Sequence, residues 1–262
     1  MPLAWDPDRY LRYADERARP FLDLMSRVDH PSPALVVDLG CGPGNLTALL
    51  ARRWPGAQVI GVDSSTSMIA AARREHGRSV RFDQADLRDW APPGPVDVLV
   101  SNATLHWVPD HRERLSGLLD ALGPGGYLAV QVPGDFAAPL HRIRVELAAT
   151  APYAAHLSNL PQPGAHDPAD YLAALAAPGV TVDAWETTYL HVLPGVDPVL
   201  DWVSGTSARP TLQALPSHLR RRFEAELARR LRAAYPRGPH GTVLPFRRVF
   251  VVARRGPDTL GP

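Results

Sequence analysis

The chain of 262 residues contains no lysine. That absence excludes the phosphate loop of nucleoside triphosphatases, which ends in Gly-Lys-Ser/Thr and sets an ammonium against the phosphates. All 28 basic residues are therefore arginine. Such uniformity reads as a global coding bias, so an isolated arginine is weak ground for anion recognition. There is a single cysteine, Cys41. It has no partner for an internal disulfide and no companion for a metal or redox pair, which points to a reducing compartment and to no bound metal. No apolar run approaches the ~20 residues of a membrane span, and Asp6, Asp8 and Arg9 stand where a secretory signal would be apolar. A cytoplasmic protein that does not bind membranes is expected. Basic and acidic residues nearly balance at 28 against 27, so no net charge draws the chain to nucleic acid. The length suits one α/β domain with insertions or a cap.

What the chain has instead is glycine at alternate positions. Val36-Val37-Asp38-Leu39-Gly40-Cys41-Gly42-Pro43-Gly44-Asn45-Leu46-Thr47 reads as a short buried strand, a glycine-dense turn and the opening of a helix through Arg53. The glycines permit positive φ and let the backbone approach a ligand with no Cβ in the way. The helix end offers free N–H groups to an anionic group. The dinucleotide fingerprint Gly-x-Gly-x-x-Gly fails in both registers, because Asn45 and Thr47 fall where its third glycine belongs. A nicotinamide dehydrogenase is accordingly the least favoured reading. Asp63 closes a second strand, Val59-Ile60-Gly61-Val62, and a carboxylate matches the two donors of a vicinal diol. Loop and acid together resemble motif I and the following acidic position of class I S-adenosylmethionine (SAM) methyltransferases. The resemblance implies that Asp38, Gly40, Gly42, Gly44 and Asn45 hold the amino acid end of SAM. Asp63 would bridge the ribose hydroxyls with Ser64 beside it, Ser64 or Ser65 capping the next helix.

From 35 to 133, strands (35–39, 58–62, 79–83, 96–101, 126–132) alternate with helices (45–53, 65–76, 110–121). That alternation predicts a parallel, doubly wound sheet with its site along the carboxyl edge. Asp86, after the third strand, sits where the family's adenine-binding acid lies, with the Leu87 N–H donating to a ring nitrogen. Strand four runs into Asn102-Ala103-Thr104-Leu105-His106-Trp107. Asn102 is assigned to the cofactor, and His106 and Trp107 to a loop facing the transferring methyl group. Methyltransferases of exocyclic base amines and glutamine amides carry Asn/Asp-Pro-Pro-aromatic here, so Ala103 and Thr104 speak against a nucleic-acid amino-methyltransferase, and no nucleic-acid partner is expected.

Before the first strand, residues 1–30 are expected to form a helical cap in two segments, the second near 21–28, with Tyr10 and Arg17 on one face. After 133 come helical segments near 138–150 and 168–177, a strand 180–193 and a helical insertion 194–240 containing helices 198–205 and 217–235. A final strand, 244–252, completes a core of 31–193 and 241–255. In the methyltransferase topology this seventh strand is antiparallel, so the insertion would roof the site. Arg247 and Arg248 interrupt that strand. Alternation lets only one of them aim at substrate; Arg248 is favoured and Arg247 is expected to be solvated. Tyr189 and His191 would line the same pocket.

Other stretches carry a narrower resemblance: Trp5-Asp6-Pro7 through Tyr10-Leu11, Arg17-x-Arg19-Pro20, Trp107-Val108-Pro109-Asp110-His111, Ala129-Val130-Gln131-Val132-Pro133, Trp185-x-Thr187-Thr188-Tyr189 and Asp201-Trp202-Val203. With the glycine loop, they make the whole chain similar to bacterial trans-aconitate methyltransferases. The resemblance implies a Rossmann-like α/β fold and methyl transfer from SAM to a carboxylate of trans-aconitate, giving a monomethyl ester and S-adenosylhomocysteine. Tyr10, Arg17, Arg19, Tyr189 and Arg248 become candidates to hold the substrate, and His106 and Trp107 to flank the reaction. A monomer is expected. The alternatives are a different small acid or hydroxyl acceptor, and a non-catalytic SAM-binding protein.

Overall fold

The computed structural model describes residues 14–157, 160 and 163–257, without the side chains of Ala14 and Arg17. Tyr10 and the Arg17 side chain therefore lie outside the described residues, as does the Trp5-Asp6-Pro7 stretch. In chain order the elements are α1 (Ala14–Met25), β1 (Leu35–Leu39), α2 (Thr47–Arg53), β2 (Gln58–Asp63), α3 (Thr66–His76), β3 (Arg81–Gln84), β4 (Val96–Asn102), α4 (His111–Asp120) and β5 (Leu122–Pro133). There follow α5 (Pro139–Ala148), α6 (Ala154–Leu157), α7 (Pro168–Leu175), β6 (Val180–Leu193), α8 (Pro198–Ser204), α9 (Arg209–Ala214), α10 (Ser217–Ala234), β7 (Arg237–Gly238) and β8 (Gly241–Arg255).

The sheet runs β3-β2-β1-β4-β5-β8-β6, and the two-residue β7 pairs with β8. β1 pairs in parallel with β2 on one side and β4 on the other, so the strand order reverses there and opens a crevice at the carboxyl ends. Those strands are near-continuous apolar runs, as a sheet covered on both faces requires. Val36, Val37, Val98 and Leu99 have no exposed surface; fully burying each such side chain contributes roughly 1.5–3 kcal/mol.

The last long strand reverses direction. The Gly125 N–H, near the start of β5, donates to the Gly256 carbonyl just past the end of β8, while the Gly134 N–H, just past the end of β5, donates to Arg247 within β8. β8 is antiparallel to β6 as well, for Gly256 bonds back to Gly179 before β6 and Gly241 abuts the carbonyl of Leu193 at its end. The expected seven strands are thus present in the expected sense. The eighth, β7, is too short for periodicity to reveal.

α1 differs from expectation. It runs through Pro20 and stops at Met25, where a break at the proline and a second helix near 21–28 were expected. Phe21, Leu24, Met25 and Val28 are 0–3% exposed. The packing of that face outweighs the ~3 kcal/mol that an interior proline costs a helix.

The described chain forms two compact units. The first takes in residues up to Val132, with Ala165–Glu186 and the segment from Val249 onward. The second is Pro133–Gly164 with Thr187–Arg248. The 194–240 insertion falls within the second unit, where α10 packs on α5 and α8. Trp202 and Phe223 are fully buried there.

Candidate cofactor site

β1 delivers Asp38 to its carboxyl end, opposite Gly61 of β2 and Val100 of β4. The chain then turns over β2, the N–H groups of Gly40 and Cys41 both donating to the Val62 carbonyl at 2.7 and 3.0 Å. Gly40 and Gly44 have φ of +82° and +81°, and each is also spatially obligatory. A Cβ on Gly40 would lie 2.0 Å from Thr104 Oγ1, and one on Gly44 would lie 2.7 Å from the Phe82 ring. Gly42, at φ +55°, differs: a Cβ there meets nothing within 4 Å. Its Cα faces open space, the space a ligand cradled by this loop would take.

Two carboxylates fix the loop. Asp63 accepts the Gly42 N–H at 3.0 Å through Oδ2 and the Ser65 N–H at 2.8 Å through Oδ1, tying the turn to the start of α3. Ser65 rather than Ser64 is the helix cap, its hydroxyl accepting the Met68 N–H. Ser64 is exposed and its carbonyl accepts from Gln84. Asp38 is 3% exposed and accepts the Thr47 hydroxyl at 2.7 Å. Burial pushes its pKa up to about 6; the Thr47 hydroxyl works against that rise and the charge of Asp63 adds to it. Burial raises Asp63 too, against the two N–H bonds it accepts. The Cys41 thiol is pushed far up by burial and then by the neighbouring Asp38 and Asp63 charges. Two acids ionised together beside a buried loop favour a cationic ligand group.

The β4 exit supplies the opposite wall. Ser101 Oγ bonds the Leu39 carbonyl, and Thr104 Oγ1 lies 3.2–3.3 Å from the Asn102 and Gly40 carbonyls. Ala103 has φ +53°, a left-handed conformation costing roughly 1–2 kcal/mol for a residue with a Cβ; its N–H bonds the Gln131 carbonyl at 2.8 Å. Strain held at such a place accompanies functional sites. Asn102 Oδ1 is buried with no hydrogen-bond partner among the described residues, an acceptor a ligand donor would satisfy. His106 and Trp107 belong to one turn of 3-10 helix, Leu105–Trp107, rather than to the expected loop. His106 is buried, Trp107 is half-buried, and their ring centroids are 5.1 Å apart.

The β3 exit comes beside Asp63, whose carbonyl accepts the Ala85 N–H. Asp86, next along, is half-buried and engages Arg88 in this structure. Its oxygens accept the Arg88 backbone N–H, Nε and Nη2 at 2.9, 2.9 and 2.5 Å. Those bonds hold its carboxyl down at about 2. Leu87 packs against the core. The structure thus brings Asp38, Gly40, Gly42, Gly44, the half-buried Asn45, Asp63 and Asn102 together at one sheet edge, with the Asp86 turn adjoining. Arg19 is exposed on α1.

The remaining two candidates lie in the second unit. Tyr189 and Arg248 are 2% and 5% exposed. The Tyr189 ring stacks 6.2 Å from His191, which packs on Trp202, and the Arg248 guanidinium lies 4.5 Å over Phe246. Arg247 is not solvated as expected: it is half-buried and donates to the Gly134 carbonyl at 2.9 Å. Sequence reasoning missed Thr47, Thr104 and Ala103. A hydroxyl at the first turn after a glycine loop was a usable signal for Thr47; nothing in the sequence marked the other two.

The fit to SAM is good: a loop with open space at Gly42, paired acids, and an unsatisfied amide oxygen at Asn102. Comparisons agree. Residues 36–126 match a methyltransferase domain family. The chain is similar to the trans-aconitate 2-methyltransferase of Streptomyces avermitilis, 51% identical over 97% of this chain and 99% of that protein. It is also similar to that of Mycolicibacterium gilvum, 52% identical over 95% of this chain and 98% of that one. Among solved structures the fold is shared with the [4+2]-cyclase SpnF, at TM-score 0.57 and 17% identity over 97% of this chain and 86% of that one. It is shared too with the plantazolicin methyltransferase BpumL in complex with a pentazolic desmethylPZN analog and S-adenosylhomocysteine, at TM-score 0.52 and 14% identity over 96% of this chain and 92% of that one. That a cyclase shares the fold is a reminder that the site, not the sheet, decides the reaction.

Proposed function

Since the chain belongs to the trans-aconitate 2-methyltransferase family, a SAM-dependent class I methyltransferase family of Rossmann-like fold, we propose that it esterifies one carboxylate of trans-aconitate. The products are the monomethyl ester and S-adenosylhomocysteine. The observation that carries this is half-identity to enzymes of that name over nearly the whole of both chains, not over the cofactor half alone.

Bound SAM supplies an electrophilic methyl group. The chain's own residues would hold it: Gly42 and its neighbours under the amino acid end, Asp38 against positive charge, Asp63 on the ribose, Asp86 and the Leu87 N–H on the adenine, and Asn102 through its unsatisfied oxygen. For Asp63 and Asp86 this means exchanging present bonds for ligand bonds, Asp63 from Gly42 and Asp86 from Arg88. The acceptor needs no general base, because a carboxylate is already ionised at neutral pH. What remains for the protein is orientation, worth several kcal/mol when the reacting atoms are held near attack distance, and exclusion of water. Trp107 suits the second task and His106 that of a donor. Arginine forks match carboxylates, which supports Arg17, Arg19 and Arg248 as substrate cations with Tyr10 and Tyr189 as further partners.

No described helix is long and apolar enough to cross a membrane. We further propose a monomer that works in the cytoplasm on a small molecule. A transfer assay with radiolabelled SAM against trans-aconitate, cis-aconitate, citrate and a panel of other acids tests the proposal. Incorporation should be highest with trans-aconitate. Preference for another acid would replace the substrate, and no transfer with SAM bound would favour a non-catalytic binder.

A further inference from the structure

Among the described residues, left-handed backbone outside glycine occurs at Ala103 and Asp110, each with φ +53°. The two bracket the 3-10 turn Leu105–Trp107, which carries His106 and Trp107. Strain of this kind persists only where the surroundings over-determine the backbone. At the first end the Ala103 N–H is held by the Gln131 carbonyl. At the second, Asp110 leads directly into α4, whose first residue, His111, is only 4% exposed.

The His111 ring is fastened on both sides. Its Nε2 lies 2.7 Å from the Tyr171 hydroxyl on α7. The Val108 backbone hydrogen-bonds the same ring and raises its pKa, so the ring donates to the Val108 carbonyl, and Nδ1 is the nitrogen left to do so. Nδ1 therefore carries the proton, Nε2 accepts, and the tyrosine hydroxyl donates. The Tyr171 oxygen in turn accepts the His166 N–H at 3.4 Å. Val108 follows Trp107 directly and its N–H bonds Leu105, so one chain of hydrogen bonds runs from α7 to the exit of the turn. Leu105, Leu115, Tyr171 and Leu175 share one buried cluster. All of these residues belong to the first unit.

The pattern suits a neutral imidazole alone. A proton added at Nε2 would charge a buried ring and turn the tyrosine hydroxyl hydrogen away from its acceptor. Burial accordingly pushes the His111 pKa below its usual 6.5, against the Val108 bond; His166 and Arg112 also lower it and Glu113 raises it. On α7 the charge facing the pair is Asp170, 4.0 Å from Arg112. Burial pushes Tyr171 up to about 12, so its hydroxyl keeps the proton it donates.

We propose that Tyr171 is a positioning residue for methyl transfer: through neutral His111 it fixes the turn that presents His106 and Trp107, and protonation of His111 releases that turn. The inference rests on the reading that this turn borders the transferring methyl group.

The test compares wild type with Y171F, which removes the donor, and H111Q, which offers Tyr171 an acceptor that does not titrate. At saturating SAM and trans-aconitate, cofactor binding does not enter kcat. Wild-type kcat should then fall as pH drops below 6.5, with the apparent pKa of the His111 ring, and H111Q should lack that limb. At pH 8, Y171F should lower kcat about tenfold by misplacing the turn, with S-adenosylhomocysteine affinity and KM unchanged. A limb at the same pKa in H111Q, or a Y171F altered only in Tm, would overturn the proposal. Nitrogen NMR of the S-adenosylhomocysteine complex reads the pair without turnover and serves alone if Y171F does not fold. His111 should be the Nδ1–H tautomer at pH 8. The Trp107 indole resonance, assigned by its loss in W107F, should follow the His111 titration in wild type and not in H111Q. If no acid is methylated while Trp107 follows His111, the trans-aconitate reading fails and the positioning pair stands. If transfer proceeds while Trp107 is indifferent to His111, the reaction stands and the proposal is overturned.

Discussion

Asp38 should release a proton when the cofactor binds. Burial raises its pKa from the ordinary 3.8 to about 6; at 1.36 kcal/mol per pH unit of displacement, the ionised form costs the folded chain ~3 kcal/mol. The sign follows from linkage. Between those two values the folded chain binds the proton and the unfolded chain does not. This stabilisation is therefore complete below about pH 4 and is lost as pH rises through 6, so Asp38 makes the ligand-free protein less stable at neutral pH than at pH 4. A cationic ligand group beside Asp38 reverses the cost, since opposite charge favours the carboxylate. Calorimetric titration with SAM at pH 6, in two buffers of different ionisation enthalpy, should report release of about half a proton, falling towards zero by pH 7.5. D38N should abolish that release and flatten the Tm profile between pH 4 and 6.5. T47V, which removes the hydroxyl that opposes the rise, should shift the release to higher pH. Identical proton release from wild type and D38N would refute the reasoning, because the linked group would then be another.

Substitutions along the loop should separate folding from binding. G40A, with its Cβ 2.0 Å from Thr104, should cost about 3 kcal/mol in urea melts by combined strain and overpacking. G42A meets open space; it should cost about 1 kcal/mol yet weaken S-adenosylhomocysteine binding at least about tenfold. R248A should raise KM for the acceptor by about tenfold or more while leaving SAM affinity nearly unchanged; equal loss of both would show the residue is misassigned. Cys41, buried and with its thiol pKa raised, should resist thiol reagents at pH 8 until the protein is unfolded; rapid labelling of the native protein would contradict its placement.

The first half of the fold was legible because its signals are local. Apolar runs bounded by glycine and proline marked β1, β2 and β4, and Asp38, Gly40, Gly42, Gly44 and Asp63 declared themselves by spacing. The second unit was harder for a physical reason. α5 and α10 were expected near their observed bounds, but their packing on one another, some eighty residues apart, is visible in no window of sequence. α9 was missed because six residues are too short to show a period, and α1 was broken at Pro20 because propensity cannot see the core beneath Phe21 and Leu24.

The account stands or falls on which atom receives the methyl group. Incubation with SAM carrying a 13C-labelled methyl and with trans-aconitate, followed by NMR of the small-molecule fraction, reads it directly. The account predicts a single methyl ester resonance that alkaline hydrolysis converts to labelled methanol. Label that resists hydrolysis, or that stays on SAM with the protein folded and the nucleoside bound, would contradict it.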